Sequence, residues 1–314
     1  MSVVPDHYWK KLLVSATGLA SEEQSTSDSL RTMSEKDREW LEKVMIELVD
    51  ETDLGRSLER TMNGLKVLAV KAELSEEDHE KLEELSTKLE DLVQYADLTT
   101  YFLREHGLEL AERFLNYTAR PEVPSIYADV LATLSENNPQ AQEAIATSGL
   151  QGRLLELLTN CNNEQLQSKL LRTISCAVRS NVVAFDAFVS NKGPSMLTRL
   201  VETSDAIKVA AKAGRILTAI AFTMVDYESR ARALDGLISR NYVSLISKNQ
   251  QDQIEGELAY IQDFLLPIDS GRLDERTRSE LVAAFRKRLP AIDDFDEAQT
   301  LQALITRFSA PRGG

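Results

Sequence analysis

Cysteine is nearly missing from this chain. Two thiols, Cys161 and Cys176, stand among 314 residues. That is too few for a disulfide scaffold and typical of a reducing compartment, although one bridge between them is arithmetically allowed. They are not spaced as a zinc pair and no histidine lies near them, so packing is their expected role. Histidine is scarce as well: His7, His79 and His106 are scattered, and no G-x-S-x-G elbow accompanies them. A nucleophile activated by histidine therefore has no support. The phosphate-cradling loops G-x-x-x-x-G-K-[ST] and G-x-G-x-x-G are absent too, which argues against nucleotide binding by the chain itself. The acidic stretch 293–297 lacks the glycine and spacing of a calcium loop and reads as a helix start. No catalytic residue, no metal and no cofactor are expected, and the chain is not expected to be an enzyme.

Long apolar runs are missing. Nothing reaches the roughly 18 consecutive apolar residues of a membrane-spanning helix. Lys10 and Lys11 interrupt the opening MSVVPDHYWKKLLVSATG, which therefore lacks the apolar core of a secretory signal. The cytoplasm is the expected location, with the nucleus as the alternative. Positive charge is also in deficit, 36 Lys and Arg against 50 Asp and Glu, a formal net charge of −14. A principal nucleic-acid partner would favour the opposite balance, whereas local basic faces remain available for an acidic protein surface. With 43% hydrophobic and 27% charged residues, the chain has the composition of a folded protein.

What is present is helical repetition. In NEQLQSKLLRTISCAVRSN, residues 163–181, Leu166, Leu170, Ile174 and Ala177 make one apolar stripe on a helix. Lys169, Arg172, Cys176 and Arg179 share another face, which is basic. Leu134, Cys176, Thr218 and Tyr260 recur at intervals of 42. Gly107, Gly149, Gly193 and Gly236 mark the same beat ahead of the second helices. A fixed interval of this length, with helical patterning and no strand signal, predicts stacked helical repeats: an all-α, armadillo-like α-solenoid of about four repeats.

Taken in order, residues 1–33 are expected to be flexible, an apolar patch (Tyr8 to Val14) followed by a Ser/Thr/Glu-rich tract. The patch reads equally as a docking peptide or as a helix folded back on the body. Residues 34–98 form an acidic helical module. Ser34 and Ser75 each open a capping box, with helices following from Ser34, from about Asp53 to Ala72, and from Ser75. Residues 99–270 hold the repeats, whose long third helices are expected near 121–137, 163–180, 204–222 and 250–266. Capping helices over 271–309 and a disordered tail at 310–314 complete the chain.

In armadillo-type arrays the third helices line a concave groove. Stepping by the interval places Tyr127, Val130, Leu134 and Asn137 in its first row. Lys169, Arg172, Cys176 and Arg179 form the second. Ala211, Gly214, Thr218 and Ala221 form the third, flanked by Lys208, Lys212 and Arg215, and Gln253, Gly256, Tyr260 and Asp263 the fourth. The expected partner-binding residues are Tyr127, Asn137, Lys169, Arg172, Arg179, Lys208, Lys212 and Arg215. Several cations on one side favour a binding surface over a merely solvated one. Gly214 and Gly256, costly inside helices, would admit another backbone.

Four stretches carry a resemblance: MSEKDREWLEKVM (33–45), DLVQYADLTTYFLREHG (91–107), ADVLATLSEN (128–137) and ISCAVR (174–179), supported by ELVAAFRKR near the end. In this order they resemble the armadillo-type nucleotide-exchange factors of the seventy-kilodalton heat-shock chaperones, over about residues 30–309. The resemblance implies a non-catalytic, monomeric co-chaperone. Its concave face would embrace the chaperone's ATPase domain and promote ADP release. The N-terminal segment would aid client release, with Trp9, Leu12 and Leu13 as a client mimic. An armadillo adaptor or scaffold for another protein is the alternative. Adaptors that grip basic peptides use an Asn ladder that this chain lacks at 134, 176, 218 and 260.

Overall fold

In the computed structural model of the chain, the described residues are 53–224, 229, 232–248 and 254–310. They fall in two units, 1–60 and 61–314. The expected helix opening at Ser34, the segment 1–33 with Trp9, Leu12 and Leu13, and the tail beyond 310 lie outside the described residues. Of the first unit only the start of one helix, α1 (Leu54–Ala69), is described. Asp53 opens it by accepting the Arg56 amide at 3.1 Å.

The described residues of the second unit form helices joined by short turns and loops. α2 (Glu76–Leu92) begins with the capping box expected at Ser75: the serine hydroxyl accepts the Asp78 amide, and the Asp78 carboxylate accepts the Ser75 amide. Three-helix repeats follow. The first is α3 (Ala96–Arg104), α4 (Gly107–Leu115) and α5 (Glu122–Ser135). The second is α6 (Pro139–Thr147), α7 (Leu150–Asn160) and α8 (Glu164–Val178). The third is α9 (Val182–Ser190), α10 (Gly193–Thr203) and α11 (Ile207–Thr223). A fourth contributes α12 (Asp235–Lys248) and α13 (Glu255–Leu265), and α14 (Glu275–Arg288) with α15 (Phe295–Ser309) closes the stack. The expected solenoid is observed, and the first three third helices lie where the sequence predicts them, to within a few residues at each end; the fourth is described from Glu255, and the start expected at 250–253, with Gln253, lies outside the described residues.

Asparagine sets the repeat boundaries. Asn138 accepts the Ala141 amide at 3.2 Å and Asn181 accepts the Ala184 amide at 3.0 Å, capping α6 and α9 at equivalent points. Just before each cap the chain turns through a left-handed residue, Asn137 (φ 53°) and Ser180 (φ 61°). Left-handed residues also precede the second helix of the first three repeats: His106 (φ 61°), Gly149 (φ 83°) and Lys192 (φ 59°). All of these recur at 43 rather than 42 residues. The glycine beat read from sequence therefore mixes two structural positions. Gly149 supplies the left-handed turn itself, whereas Gly107 and Gly193 stand one place later and make room for a ring. A Cβ on Gly107 would come within 2.5 Å of the Phe102 ring, and one on Gly193 within 2.1 Å of the Phe188 ring.

The core follows the third helices. Leu170, Leu171, Ile174, Ala177 and Val178 of α8 have no exposed surface, a burial of about 1.5–3 kcal/mol for each large side chain. Polar side chains then staple one helix to the carbonyls of another. Thr173 of α8 donates to the Ala128 carbonyl of α5 at 2.7 Å. Gln142 of α6 donates to the Cys176 and Arg179 carbonyls at 2.8 and 3.2 Å. Lys248 donates to the Val201 and Ser204 carbonyls, at 2.8 and 2.9 Å, as α10 ends. The Gln142 and Lys248 bonds satisfy helix-terminal acceptors that would otherwise be orphaned, whereas Thr173 adds a second donor to a mid-helix carbonyl. The last helices are clasped by the Arg288 guanidinium, which donates to Glu297 at 2.6 Å, while Gln262 donates to Tyr242 Oη at 2.9 Å and to Glu297 at 3.2 Å.

Candidate functional site

A hollow of about 810 Å³ opens against the third helices of the second and third repeats. α8 contributes Arg172, Cys176 and Arg179 to its wall, α11 contributes Lys208, Lys212 and Arg215, and Glu136 and Glu257 stand at its margins. Of the eight residues expected to bind a partner, five line this hollow. Lys169 lies one helical turn before Arg172 on α8, with its side chain 38% exposed.

The other two, from the first row, do not join it. Tyr127 is completely buried. Its ring stacks on Phe114 with centroids 5.3 Å apart, Ser86 Oγ lies 3.5 Å from its hydroxyl, and burial pushes its phenol far above the ordinary range. Asn137 is exposed but belongs to the turn after α5 and lines a smaller neighbouring hollow. The cause is the interval. On a helix one residue is about 100° of rotation, so stepping by 42 from the basic row of α8 lands one place off in α5 and α11. At the observed spacing of 43 the face of α5 is Ile126, Asp129, Thr133 and Glu136, and that of α11 is Lys212, Arg215, Ala219 and Phe222. Val130, Leu134, Ala211, Gly214, Thr218 and Ala221, expected on the face, are buried core. Gly214 admits no foreign backbone: a Cβ there would meet Leu245 at 3.2 Å and Ile261 at 3.6 Å from the chain's own core. Gly256 is exposed, with open space beside it.

The cations of the face are unequally engaged. Lys169 Nζ is 2.7 Å from Asp129, and Arg172 is 3.3 Å from Asp129 and 3.5 Å from Glu136. Lys212 donates to the Ser168 carbonyl at 2.7 Å and its hydroxyl at 2.6 Å. Burial, then the Arg172 charge, lowers the Lys212 ammonium pKa, with Asp129 opposing. Arg215 lies over the Tyr260 ring at 5.2 Å, and Tyr260 meets Phe222 edge-on at 5.4 Å. Arg179 and Lys208 have no carboxylate partner among the described residues. Cys176 forms part of the floor. It is 8% exposed and reduced, and burial raises its thiol pKa, so it is inert packing rather than a nucleophile. Among the described residues no group of three His, Cys, Asp or Glu is placed to hold a metal, and no helix is long and apolar enough to cross a membrane.

Asp129 and Glu136 are the functional residues that sequence reasoning missed. Their signal was present: they precede Arg172 and Arg179 by the true interval of 43, so an acid in the first repeat stands opposite a base in the second at both positions.

No family model matches the chain, and no curated protein matches it. Solved structures do. An engineered protein superposes with a TM-score of 0.58 at 19% identity, over 82% of this chain and 98% of its own. A designed armadillo repeat protein in complex with the peptide (KR)4 gives 0.58 at 14% identity, over 82% and 100%. A computationally designed armadillo repeat protein for modular peptide recognition gives 0.58 at 15%, again over 82% and 100%. At such identities the likeness concerns backbone architecture alone, and on that ground the chain has the armadillo-like α-solenoid fold.

Proposed function

We propose that this protein is a co-chaperone that binds the ATPase domain of a seventy-kilodalton heat-shock chaperone through the third-helix groove and promotes ADP release. The observation that carries the reading is the convergence of Arg172, Arg179, Lys208, Lys212 and Arg215 on one hollow, in a chain whose net charge is −14. A basic concavity on an acidic body steers an acidic protein surface to one place. The choice of partner rests on the four sequence stretches that resemble the exchange factors.

The mechanism needs no chemistry from the groove. The factor prefers the open form of the ATPase domain, and ADP prefers the closed form. Linkage then makes the factor weaken ADP by the same ratio by which ADP weakens the factor. In this reading the protein is a monomeric, non-enzymatic component of the cytoplasm, and residues 1–33 assist client release. The second reading, an adaptor for another protein, draws on the designed neighbour's basic peptide. The cations of this groove would repel such a peptide, and the adaptor would have to take acidic sequence instead.

Calorimetric titration of the isolated ATPase domain, with and without ADP, tests the proposal. Tighter binding to the nucleotide-free domain is expected. Equal affinity in both states, or no binding, contradicts it.

A further inference from the structure

Three equivalent positions of successive third helices, 43 residues apart, hold Asp129, Arg172 and Arg215. The face is thus a ladder of like charges broken at its first rung. Asp129 is well seated, its side chain 17% exposed, and it contacts both Lys169 and Arg172 of the neighbouring repeat. Glu136, at the rung of Arg179, adds a second carboxylate beside Arg172. Two of the face's cations are therefore already paired with carboxylates in the free protein. Among the described residues Arg179 and Lys208 have no carboxylate partner, and Arg215 lies over the Tyr260 ring.

We propose that the groove takes an acidic peptide segment whose carboxylates sit over Arg179, Lys208 and Arg215, and that Asp129 is an internal competitor that withholds Lys169 and Arg172 from it. This rests on the groove being the partner-binding face and adds what it selects. Charge complementarity fixes the occupant, because the hollow is lined by five cations against three glutamates, Glu136, Glu164 and Glu257, so its balance repels a basic segment and attracts an acidic one. It also fixes the occupant's direction. The α5 side of the groove carries Asp129 and Glu136, and Glu164 and Glu257 also line the hollow, so the acidic stretch is confined to the part of the α8–α11 side that Arg179, Lys208 and Arg215 provide. The Phe222–Tyr260 pair at the far edge accommodates an apolar residue next to it.

Fluorescence anisotropy of a labelled oligoglutamate peptide with the full chain is the test, with a (Lys-Arg)4 peptide and an oligonucleotide as controls. Oligoglutamate should bind, weaken with added salt, and lose about tenfold or more in affinity on combined Arg179→Glu and Lys208→Glu substitution. Asp129→Asn should bind it about three- to tenfold more tightly, since it frees two cations at once. Glu136→Gln, which frees Arg172 alone, should give a smaller gain and serves if Asp129→Asn does not fold. Tighter binding of either control, or unchanged or weaker oligoglutamate binding by both neutralised variants, overturns the proposal. ADP release is not part of the readout, so failure of the chaperone reading and failure of this one are separate results.

Discussion

Arg172 reaches back 43 residues to Asp129, Nη1 to Oδ1 at 3.3 Å, whereas Arg179, two helical turns further on, lines the groove and has no carboxylate partner among the described residues. The two arginines came from one basic stripe in the sequence and differ in what they have left to offer a partner. Arg179→Ala should weaken binding of the chaperone's ATPase domain by about five- to thirtyfold, the range of a well-placed interfacial charge. Arg172→Ala should cost roughly threefold or less, because Asp129 and Glu136 already neutralise it. Both variants should keep wild-type circular dichroism and melting. The reverse ranking in a calorimetric titration would show that Arg172 is the contact.

The close approach of Phe188 to Gly193 makes a stability prediction. Gly193→Ala would place a methyl 2.1 Å from the ring, an overpacking that costs about 1–3 kcal/mol. Adding Phe188→Leu to that variant should recover part of the loss, since the smaller side chain vacates the space. Gly149→Ala meets nothing within 4 Å and bears only the left-handed backbone, at about 1–2 kcal/mol, which no partner substitution relieves. Urea denaturation distinguishes the two: rescue of Gly193→Ala by Phe188→Leu is expected, and its absence would mean the ring is not the obstacle.

At the closing end, Glu297→Ala should destabilise the chain by about 2–4 kcal/mol, because it leaves the Arg288 guanidinium, with a side chain only 4% exposed, without its partner. Replacing both together, Arg288→Met with Glu297→Leu, should cost less than the single change. A double variant as unstable as the sum of its parts would show that the two residues act independently.

Glu90 gives a pH dependence with a definite sign. Burial first, then the neighbouring Asp129, pushes its carboxyl above the ordinary value, with Lys169 pulling it back. The folded form therefore holds this proton more tightly than the unfolded chain does. The stability tied to it is intact below the ordinary carboxylate pKa and is lost as the pH rises through the raised folded value. Glu90→Gln should raise the melting temperature at neutral pH and leave it unaltered near about pH 3, where the native carboxyl is already neutral. An equal shift at both pH values would assign the effect to packing instead.

Much of the architecture was legible because the helices advertise their apolar stripes. The α8 stripe through Leu170, Ile174 and Ala177 is core as its spacing implies, while the caps at Asn138, Asn163 and Asn181 emerge only in the structure. The face was legible only where charge marked it, on α8 and at Lys208, Lys212 and Arg215. The interval of 42 sets Tyr127 outward because an interval one residue short rotates a helix by about a quarter turn. The glycines misled for a related reason. His106 and Lys192 hold the left-handed turn without being glycine, so the visible glycines next to them suggested a different register. Asp129 gave no local signal, since a lone acid on a helix is ordinarily solvated; its meaning comes from the neighbouring repeat.

The most direct measurement is the stopped-flow rate at which labelled ADP leaves a cytosolic seventy-kilodalton heat-shock chaperone. The account predicts marked acceleration by the intact protein and little by a variant carrying Arg179→Glu and Lys208→Glu that melts like wild type. A rate unaffected by the intact protein, or accelerated equally by the groove variant, would contradict it.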